Sequence, residues 1–517
     1  MAVLGETVTQ SLRNVKWVAP VILFVAYWQS SFWISILNQA LSRFIHIILV
    51  LKYPTRSIEG TSSIPTCPYK FPNGQGDVEK FLQGKQNSEA WRIQHGSVYR
   101  IWSGTRPEIV LTTPEHLRAV FHDSDHHTKA LNNNSGYVMS ELLGNCVGLI
   151  SGNTWRTVRS SVDWAFHRKS IKDHLPIILK HTSAQFDDLA RDEHSGVRLL
   201  DPAESFQMLP FWVVAEILYG DLDKQMIDEL RELTTIRQQI FAQMIHGGIS
   251  RFSLSRFLPI PVIRQLESFK KRWKSFNDGV AARLETPAAG RSETPVTHMY
   301  QQARKGKVTP QQLLQTLDEC LFANLDVTTG AIAWNVIFLA ANSEYQEKLA
   351  REMEMRGRSE DEIRLYMLDD RTLLAACISE SARLRPAAPF SIPQSAPGPR
   401  EIDGYVIPAG TDFIIDTQSV NVCSAFWGED GAIYRPERFL EKSSRDQRYQ
   451  FWRFGFGPRQ CLGKYLADLI IRCLIIQLLE KYELALQNDS NDWRQNPTVW
   501  ISHPQMEVRC IQRRKEP

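Results

Sequence analysis

The most conspicuous pattern in the chain is an apolar stretch near its start. No charged residue occurs from Trp17 to Ser42, and a shorter apolar run follows from Phe44 to Leu51. About 20 apolar residues suffice to span a bilayer, and this run is longer than the apolar core of a typical cleaved leader. We predict a short tail over residues 1–16 and a transmembrane anchor over residues 17–42. The second run is then a membrane-contacting helix or a continuation of the anchor.

A segment rich in proline and glycine comes next. Four prolines between residues 54 and 72 are followed by Gly74 and Gly76. This composition favours a stiff, irregular linker. We therefore predict a hinge over residues 43–76 and one globular domain over residues 77–517.

Short strands are predicted at the beginning of that domain. Residues 98–102 and 108–111 are rich in β-branched and aromatic residues, and a turn-forming segment separates them. Thr113 followed by Pro114 is typical of a helix start. We predict two strands joined by a turn and then a helix.

Two long helices are predicted further along the chain. Thr309 and Pro310 are typical of a helix cap and its first turn, and the helical pattern then continues to about Asn342. A second helix is predicted from Lys464 to about Tyr482 because its apolar residues recur at i, i+3, i+4, i+7 and i+8. These residues are Leu466, Leu469, Ile470, Cys473 and Leu474.

Charge and cysteine content narrow the class of protein. The 517 residues include 60 Lys and Arg against 57 Asp and Glu, a net charge of +3, which gives no reason to expect nucleic acid as a partner. The eight cysteines are scattered and form no C-x-x-C pair, so neither a zinc site nor a disulfide framework is indicated. A domain in a reducing compartment fits best.

One cysteine stands out by its position. Residues 454–463 combine glycines and a proline in a predicted tight loop directly before the second long helix, and Cys461 lies in that loop. The partial positive charge of a helix N-terminus favours a thiolate, and Arg459 adds to it. A thiolate in a glycine-rich loop is a suitable ligand for a soft metal. The alternative is a buried cysteine with a structural role only.

This loop resembles the haem-binding loop of the cytochrome P450 family. The family pattern F-x-x-G-x-R-x-C-x-G is met at Phe454, Gly457, Arg459, Cys461 and Gly463. The resemblance implies a fold that is mainly α with small β-sheets (α+β), a single large haem domain. It also implies haem b as cofactor, with Cys461 as the axial iron ligand and with Phe454, Arg459 and Gly463 in the cofactor site.

A second match lies upstream. Trp155 and Arg159 stand four residues apart, on one face of a predicted helix. The family uses W-x-x-x-R at this place so that both side chains reach a haem propionate, a task that suits the permanent charge of Arg. A surface stack of Trp on Arg is the alternative. His126, His127 and Lys129 lie upstream, and a basic residue there could also touch a propionate; a solvated loop is the alternative.

The long central helix carries the third match. Residues 323–329 resemble the family pattern [AG]-G-x-[DE]-T-[TS], in which an acid and an alcohol relay protons during oxygen activation. Asp326 matches and, with Thr328, is our candidate catalytic pair, but Asn324 replaces Gly and Val327 replaces the usual Thr. Proton delivery is then left to water with Asp326, to a substrate hydroxyl, or to Thr328 re-aimed by a local helix bulge. The alternative for Asp326 is a structural ion pair.

Scaffold residues complete the resemblance. Glu380 and Arg383 match the family's E-x-x-R, and Arg438 matches the arginine of its P-E-R-F segment. The resemblance implies that the three form a structural network around the cysteine loop. Two departures are Gln394, where many relatives have Arg, and Asn421, where relatives often have His.

The resemblance as a whole implies a membrane-anchored haem-thiolate monooxygenase of the microsomal type. It places the protein in the endoplasmic reticulum membrane as a single-pass protein, with the catalytic domain facing the cytosol. Electrons then come from NADPH through a separate flavoprotein, NADPH–cytochrome P450 reductase. That partner is expected on a basic face formed by Arg168, Lys169, Arg453, Lys464 and Arg472.

The expected substrate is a small, apolar molecule. Residues 324–329 and 389–394 resemble fungal secondary-metabolism members of the family, and within these the ones acting on cyclic dipeptides and related peptide alkaloids. Two other functions stay open at this point. One is oxidative coupling or ring formation without oxygen insertion, which Val327 favours. The other is a haem sensor or carrier without enzymatic activity.

Overall fold

The computed structural model describes residues 32–190, 197–285, 293–357, 359–488, 493 and 495–513. The predicted tail and the first part of the predicted anchor, residues 1–31, lie outside the described residues. Within the described part the chain is mainly helical with three small sheets, which is the predicted fold class.

The helices of the first half run from the apolar N-terminal segment to the start of the central helical pair. They are α1 Phe32–Lys52, α2 Gly84–His95, α3 Pro114–Phe121, α4 Tyr137–Leu143, α5 Gly152–Val162, α6 Leu175–Ala190, α7 Pro202–Ser205, α8 Leu209–Tyr219, α9 Lys224–His246, α10 Pro261–Glu285 and α11 Pro295–Arg304.

The helices of the second half include the two that carry the candidate chemistry. They are α12 Pro310–Phe322, α13 Asn324–Ala341, α14 Ser343–Arg356, α15 Glu360–Leu368, α16 Leu373–Leu384, α17 Thr417–Asn421, α18 Arg438–Glu441, α19 Ser444–Gln447 and α20 Lys464–Lys481.

The strands form three sheets at the edges of the helical body. They are β1 Arg56–Ser57, β2 Val98–Ser103, β3 Arg106–Leu111, β4 Thr128–Lys129, β5 Val197–Leu200, β6 Gln394–Ser395, β7 Arg400–Ile402, β8 Tyr405–Ile407, β9 Asp412–Ile415, β10 Tyr482–Leu486 and β11 Val508–Gln512. The sheet orders are β2-β3-β9-β6-β4, β1-β8-β7 and β10-β11-β5.

The predicted strands and the helix that follows them are confirmed. β2 and β3 pair antiparallel from Val98 opposite Leu111 to Ser103 opposite Arg106. The Thr113 side chain then caps α3 by accepting a hydrogen bond from the His116 amide, which satisfies one of the free N–H groups of the first turn.

The helix α20 forms the centre of the core. It ends at Lys481, close to the predicted end, and all five residues of its predicted apolar face are buried. Residues on its other sides, such as Ile471 and Ile475, are buried too, as expected of a helix in the middle of a large protein. The loop of Cys461 is therefore attached to a rigid element.

The predicted helix from Thr309 to Asn342 is interrupted. The Thr309 side chain caps α12 in a capping box with Gln312, as predicted. At Ala323 the helix is broken by a turn, and α13 begins at the next residue. The break lies directly before the segment that carries Asp326.

Two helical stretches in the described part are long and apolar enough to cross a membrane. These are α1 and the combined stretch of α12 and α13. In the most apolar segment of each, 6% of the residues of α1 are buried, compared with 72% of the residues of the α12–α13 stretch. The second is therefore a core helix, whereas α1 exposes apolar side chains. Since α1 is continuous over residues 32–52, the apolar run 44–51 continues the helix that begins within the predicted anchor.

The C-terminal part of α1 packs on the domain. Leu49 is buried against Tyr69 and Trp102. The Phe71 amide donates to the Ser42 hydroxyl at 2.9 Å, and Arg100 donates to the Tyr53 carbonyl at 2.6 Å. Residues 43–52, the first part of the predicted hinge, are thus helical and docked on the domain.

Candidate functional site

The loop before α20 holds Cys461 by its own backbone. Gly455 and Gly457 adopt positive φ angles of 86° and 63°, which glycine reaches without steric cost. The Cys461 amide donates to the Phe454 carbonyl at 2.9 Å and closes the loop. Gly457 also lies close to the neighbouring turn, because a Cβ there would come within 2.6 Å of Asp125 and Ser124 oxygens.

We infer that Cys461 faces an internal cavity, because its side chain is accessible although protein surrounds it. Its side chain is exposed, yet burial raises the pKa of its thiol, against a hydrogen bond from the Gly463 amide and the charge of Arg159, both of which lower it. A side chain that is accessible and yet surrounded by protein must face a space that the protein encloses. The cost of desolvation thus exceeds the effect of the Gly463 amide at the helix N-terminus.

The opposite wall of this cavity comes from α12 and α13. Glu319, Ala323 and Val327 follow one another at four-residue steps on one helix face, and all three are partly or fully exposed although the surrounding helix is buried. The charge of Glu319 influences the pKa of Cys461, and that of Cys461 influences the pKa of Cys320. This face and the cysteine loop therefore enclose the same space.

The two residues predicted as the catalytic pair do not point into the cavity together. The Trp500 indole donates to Asp326 Oδ2 at 2.7 Å, and His503 Nε2 lies 2.7 Å from the Asp326 carbonyl oxygen. Thr328 is buried and donates to Asn324 Oδ1 at 3.2 Å. The hydroxyl is thus engaged along its own helix, whereas Val327 lies on the cavity face.

Of the three routes left open by the sequence, a bulge that re-aims Thr328 is the one that the geometry does not favour. The irregularity of the helix lies at Ala323, five positions before Thr328, and residues 324–329 are regular α-helix. Asn324, which replaces the usual Gly, donates to the Cys320 carbonyl at 2.6 Å. It bridges the break and accepts from Thr328.

The segment that holds Asp326 comes from the C-terminal loop. Gly330 makes room for that loop, because a Cβ there would lie 2.8 Å from the His503 ring and 2.9 Å from the Ser502 carbonyl oxygen. The Trp334 indole donates to the same carbonyl at 2.8 Å. Sequence reasoning missed Trp500 and His503, which no local pattern marks.

Cations gather beside the cysteine loop. Arg159 lies on α5 and donates to the Gln460 carbonyl at 3.3 Å, and the Arg459 guanidinium stacks on the Trp155 ring at 4.6 Å. Burial, followed by the charge of Arg459, lowers the pKa of Lys129 to about 7. Burial lowers the pKa of Arg459 to about 10. The structure therefore brings Trp155 and Arg159 together with Arg459 and Lys129 beside the cysteine loop.

The cation that is absent at position 394 is present on the neighbouring strand. Lys129 of β4 stands directly opposite Gln394 of β6. The charge that many relatives carry on one strand is therefore carried here by its partner.

The donor set fits a haem. A single thiolate facing a cavity is a ligand for iron, and Arg and Lys side chains at one edge suit two carboxylates. A Cβ built at Gly463 meets nothing within 4 Å, so the protein itself does not require glycine there, and the free space permits a flat group to approach. Among the described residues no group of three His, Cys, Asp or Glu side chains could hold a metal ion instead.

A buried ionic network supports the loop from behind. Arg383 donates to both Glu380 oxygens at 2.7 and 2.8 Å, and Arg438 donates to one of them at 3.1 Å. All three side chains are 1% exposed or less. Arg438 is satisfied further by the carbonyls of Trp427, Asp430 and Ile433. The structure thus joins the three residues that the sequence predicts to pair.

Asn421 links this network to the cysteine loop. Its side chain donates to the Trp452 carbonyl and accepts from the Trp452 amide, both at 2.8 Å, while its own carbonyl accepts from Arg383 at 2.9 Å. Because Trp452 lies two residues before Phe454, Asn421 transmits the fixed position of the network to the loop. The sequence flagged the unusual residue but did not predict this contact.

The predicted basic face is largely paired within the chain. Arg168 and Arg472 both contact Asp370 at 2.7 Å, and Arg453 contacts Asp468 at 2.5 Å. Arg472 is buried and cannot form part of a surface. Arg168 and Lys169 are exposed.

Comparisons with known proteins agree with this geometry. The family model described as cytochrome P450 matches residues 78–509. The chain is 48% identical over 469 residues to cytochrome P450 monooxygenase aclC of Aspergillus oryzae, covering 90% of this chain and 95% of that protein. It is 44% identical to cytochrome P450 monooxygenase asaD of Aspergillus flavus, with 93% and 92% covered. It is 38% identical to cytochrome P450 monooxygenase gliC of Aspergillus fumigatus, with 92% and 94% covered.

Proposed function

Because this chain belongs to the cytochrome P450 family and is accordingly a haem-thiolate monooxygenase, we propose that it oxidises a small, apolar secondary metabolite of a fungus. A diketopiperazine or a related peptide alkaloid is the substrate class that we infer. The local resemblance of residues 324–329 and 389–394 supports this substrate class, whereas the high identity to monooxygenases of Aspergillus supports a fungal pathway. The alternative of a haem carrier without activity is set aside by the family and by the activity named for its relatives.

Haem with iron supplies the oxygen and electron chemistry, and the protein controls where and how it occurs. In our proposal the Cys461 thiolate ligates the iron. Trp155, Arg159, Arg459 and Lys129 hold the propionates at one edge of the cavity. Phe454 and Gly463 shape the loop under the ring. Glu380, Arg383 and Arg438 keep that loop in place through Asn421.

The observation that carries the proposal is the position of Cys461. It faces an enclosed cavity from a loop that the backbone closes at Phe454, and its thiol accepts a hydrogen bond from the Gly463 amide. Hydrogen bonds to a thiolate stabilise its charge and tune the metal that it binds.

The decisive experiment is the spectrum of the reduced full-length protein under carbon monoxide. We expect the red-shifted Soret band of a thiolate-ligated haem, and its loss in Cys461→Ala. Cys423→Ala is the matched control, because Cys423 is also an exposed cysteine but lies outside the loop. A band typical of histidine ligation in the folded native protein would refute the proposal.

Protons reach the cavity through Asp326 in this proposal. Its carboxylate is fixed by Trp500 at 2.7 Å, and Val327 offers no hydroxyl to pass a proton on. Water held beside the carboxylate, or a hydroxyl of the substrate, completes the path to the cavity.

A second candidate function is oxidative coupling or ring formation without oxygen insertion. It is favoured by Val327 on the cavity face and by the engagement of Thr328 with Asn324, because both remove the alcohol used in ordinary proton delivery. Turnover under labelled dioxygen separates the two reactions. Label in the product supports oxygen insertion, whereas product without label supports coupling.

We further propose that the protein is held in the endoplasmic reticulum membrane with its catalytic domain in the cytosol. Ile249, Phe252, Leu254, Phe257 and Leu258 form a second exposed apolar surface. The first such surface is α1, and Asn73 links the two. Asn73 is hydrogen bonded to His246 and Gly248. Phe71, two residues earlier, is hydrogen bonded to Ser42 of α1. These contacts make the two apolar surfaces neighbours, which supports a common contact with a bilayer.

NADPH–cytochrome P450 reductase is the electron donor that we infer. Arg168 and Lys169 remain exposed beside the cysteine-loop side of the domain and provide cations for an acidic partner. Attraction of this kind weakens as ionic strength rises. We expect reductase-supported turnover to fall with added salt and Lys169→Glu to reduce that dependence.

A further inference from the structure

One carboxylate that lines the cavity has no part in the family's pattern. Glu319 lies on α12, on the same helix face as Ala323 and Val327. Its Oε2 accepts a hydrogen bond from the Gly148 amide at 2.8 Å. The Cys146 thiol also donates a hydrogen bond to the Glu319 carboxylate. Burial raises the pKa of Glu319, against the charges of Lys129 and Arg459. An ionisable group in such a place requires partners or a function.

Glu319 is the last of three side chains that attach α12 to the loop before α5. Gln315 Oε1 accepts from the Asn145 amide at 2.6 Å, and Thr316 Oγ1 accepts from the Val147 amide at 3.2 Å. With Glu319 on Gly148, amides along residues 145–148 are bound by one helix. Glu319 is the one of the three that carries charge.

Gly148 is shaped to this contact. A Cβ at this position would lie 1.8 Å from Glu319 Oε1, so no larger residue fits while the carboxylate is there. The need for glycine arises from this close approach of a side chain.

The loop that Glu319 fixes is the loop that holds Arg459. Arg459 donates to the Ile150 carbonyl at 2.8 Å and to the Gly148 carbonyl at 3.4 Å. The Gly148 peptide therefore joins Glu319 on one side to Arg459 on the other. A shift of the loop would move the guanidinium off the Trp155 ring, on which it stacks.

Groups of both signs meet in this region. Arg159 and Arg459 supply two positive charges, and Lys129, whose pKa burial lowers to about 7, adds a third when it is protonated. The propionates of a haem would face this edge, and Glu319 lies behind it. Asp163 also reaches Arg159, at 3.6 Å, but its side chain is 23% exposed and shared with His167, so solvent screens it.

We propose that Glu319 is a positioning residue for Arg459 and a fixed negative charge beside the haem. Through the Gly148 peptide it orients the guanidinium that binds a propionate, and its charge favours the oxidised, more positive iron. The inference rests on haem binding at Cys461, which the carbon monoxide spectrum tests separately.

Two substitutions of Glu319 separate these roles. Glu319→Gln keeps an oxygen that can accept from the Gly148 amide but removes the charge. We expect a positive shift of the haem midpoint potential, measured by spectroelectrochemical titration, with haem retention near that of the native protein. Glu319→Ala removes both, so we expect the same shift and in addition haem transfer to apomyoglobin about tenfold faster, the loss expected for a hydrogen bond to a charged group.

Two controls make the result specific. Asp318→Asn changes the neighbouring buried carboxylate, which pairs with Arg237 at 2.9 Å, and should leave the potential unchanged. Gly148→Ala displaces the loop without removing the charge, so it should speed haem loss without the positive shift. This variant also keeps the positioning role testable if Glu319→Ala fails to fold.

Either part of the proposal can be overturned. An unchanged potential in Glu319→Gln, or an equal shift in Asp318→Asn, would refute the electrostatic role. Normal haem retention in both Glu319→Ala and Gly148→Ala would refute the positioning role. A native carbon monoxide spectrum in these same samples would show that the haem-thiolate site itself is intact.

Discussion

The two walls of the haem cavity follow different rules. On the cysteine side, every specified position of the family pattern is present, and each side chain behind the loop has a partner at hydrogen-bond distance, from Glu380 through Asn421 to Trp452. On the helix side, Asn324 and Val327 depart from the pattern, and Asp326 is bound by a tryptophan from the distant C-terminal loop. The ligand side thus follows the general pattern of the family, whereas the helix side departs from it at the positions nearest the proposed proton path.

The contrast also lies in how each wall is held. The cysteine side depends on charges that are fully buried, and such groups are costly to disturb because each needs its partner. The helix side depends on single hydrogen bonds, Trp500 to Asp326 and Thr328 to Asn324. Substitutions should therefore damage folding on the first wall and redirect chemistry on the second.

The largest effect is expected on the cysteine side, for Glu380→Ala. This change leaves Arg383 and Arg438 buried without their shared carboxylate, so the free energy of unfolding should fall by about 3–5 kcal/mol. Urea unfolding followed by circular dichroism measures it. Asp430→Asn, which removes the 42% exposed partner of Arg438, should cost about 1 kcal/mol or less. Equal losses for both variants would contradict the contrast.

On the helix side, Asp326→Asn should reduce turnover and leave stability nearly intact. Loss of a group that transfers protons lowers the rate by about 100-fold. The expected signature is a larger solvent isotope effect on turnover, with an unchanged carbon monoxide spectrum. A variant with native turnover would assign proton delivery entirely to water or the substrate.

A smaller effect is expected for Trp500→Phe, which keeps the ring but removes the donor to Asp326. The freed carboxylate samples other positions, so we expect turnover to fall about tenfold, equivalent to about 1.4 kcal/mol in the barrier, and hydrogen peroxide release to increase. Trp493→Phe in the same loop is the control, since that ring stacks on Trp334. An identical loss in the control would mean that the loop, not the hydrogen bond, matters.

The smallest effect is expected for Val327→Thr, which restores a hydroxyl on the cavity face. The change should alter how much consumed oxygen appears as peroxide, by less than about tenfold. Thr328→Val should leave that ratio unchanged, because the native hydroxyl bonds Asn324. If Thr328→Val alone changes the ratio, the hydroxyl at 328 takes part in proton delivery after all.

The two walls also differ in what the sequence could predict. The cysteine loop, its glycines and α20 follow one another along the chain, so a local pattern was sufficient to place them. The break at Ala323 was not predicted, because the apolar pattern continues through it. Trp500 and Asp326 are 174 positions apart, and Glu319 and Gly148 are 171 apart. Contacts between residues so far apart in the chain depend on how loops pack against helices. The periodicity of apolar residues does not predict this packing.

Asn421 lies between these cases. Its departure from the family was visible in the sequence, but its meaning required the Trp452 backbone, 31 positions away, to be placed beside it. An amide side chain can both donate to the C=O and accept from the N–H of one residue. A position can therefore be flagged by comparison and explained only by geometry.

The docking of α1 affects how the enzyme meets other proteins at a membrane. Leu49 is packed against Trp102, and Ser42 and Tyr53 are hydrogen bonded to the domain. The helix α1 is therefore a rigid attachment and not a flexible tether. In the membrane-bound arrangement proposed above, the domain then keeps a fixed orientation relative to α1. A partner diffusing in the same plane then finds the same face presented at each encounter. The domain then loses its orientational freedom when α1 enters the membrane, so less orientational entropy is lost each time an electron-transfer partner binds.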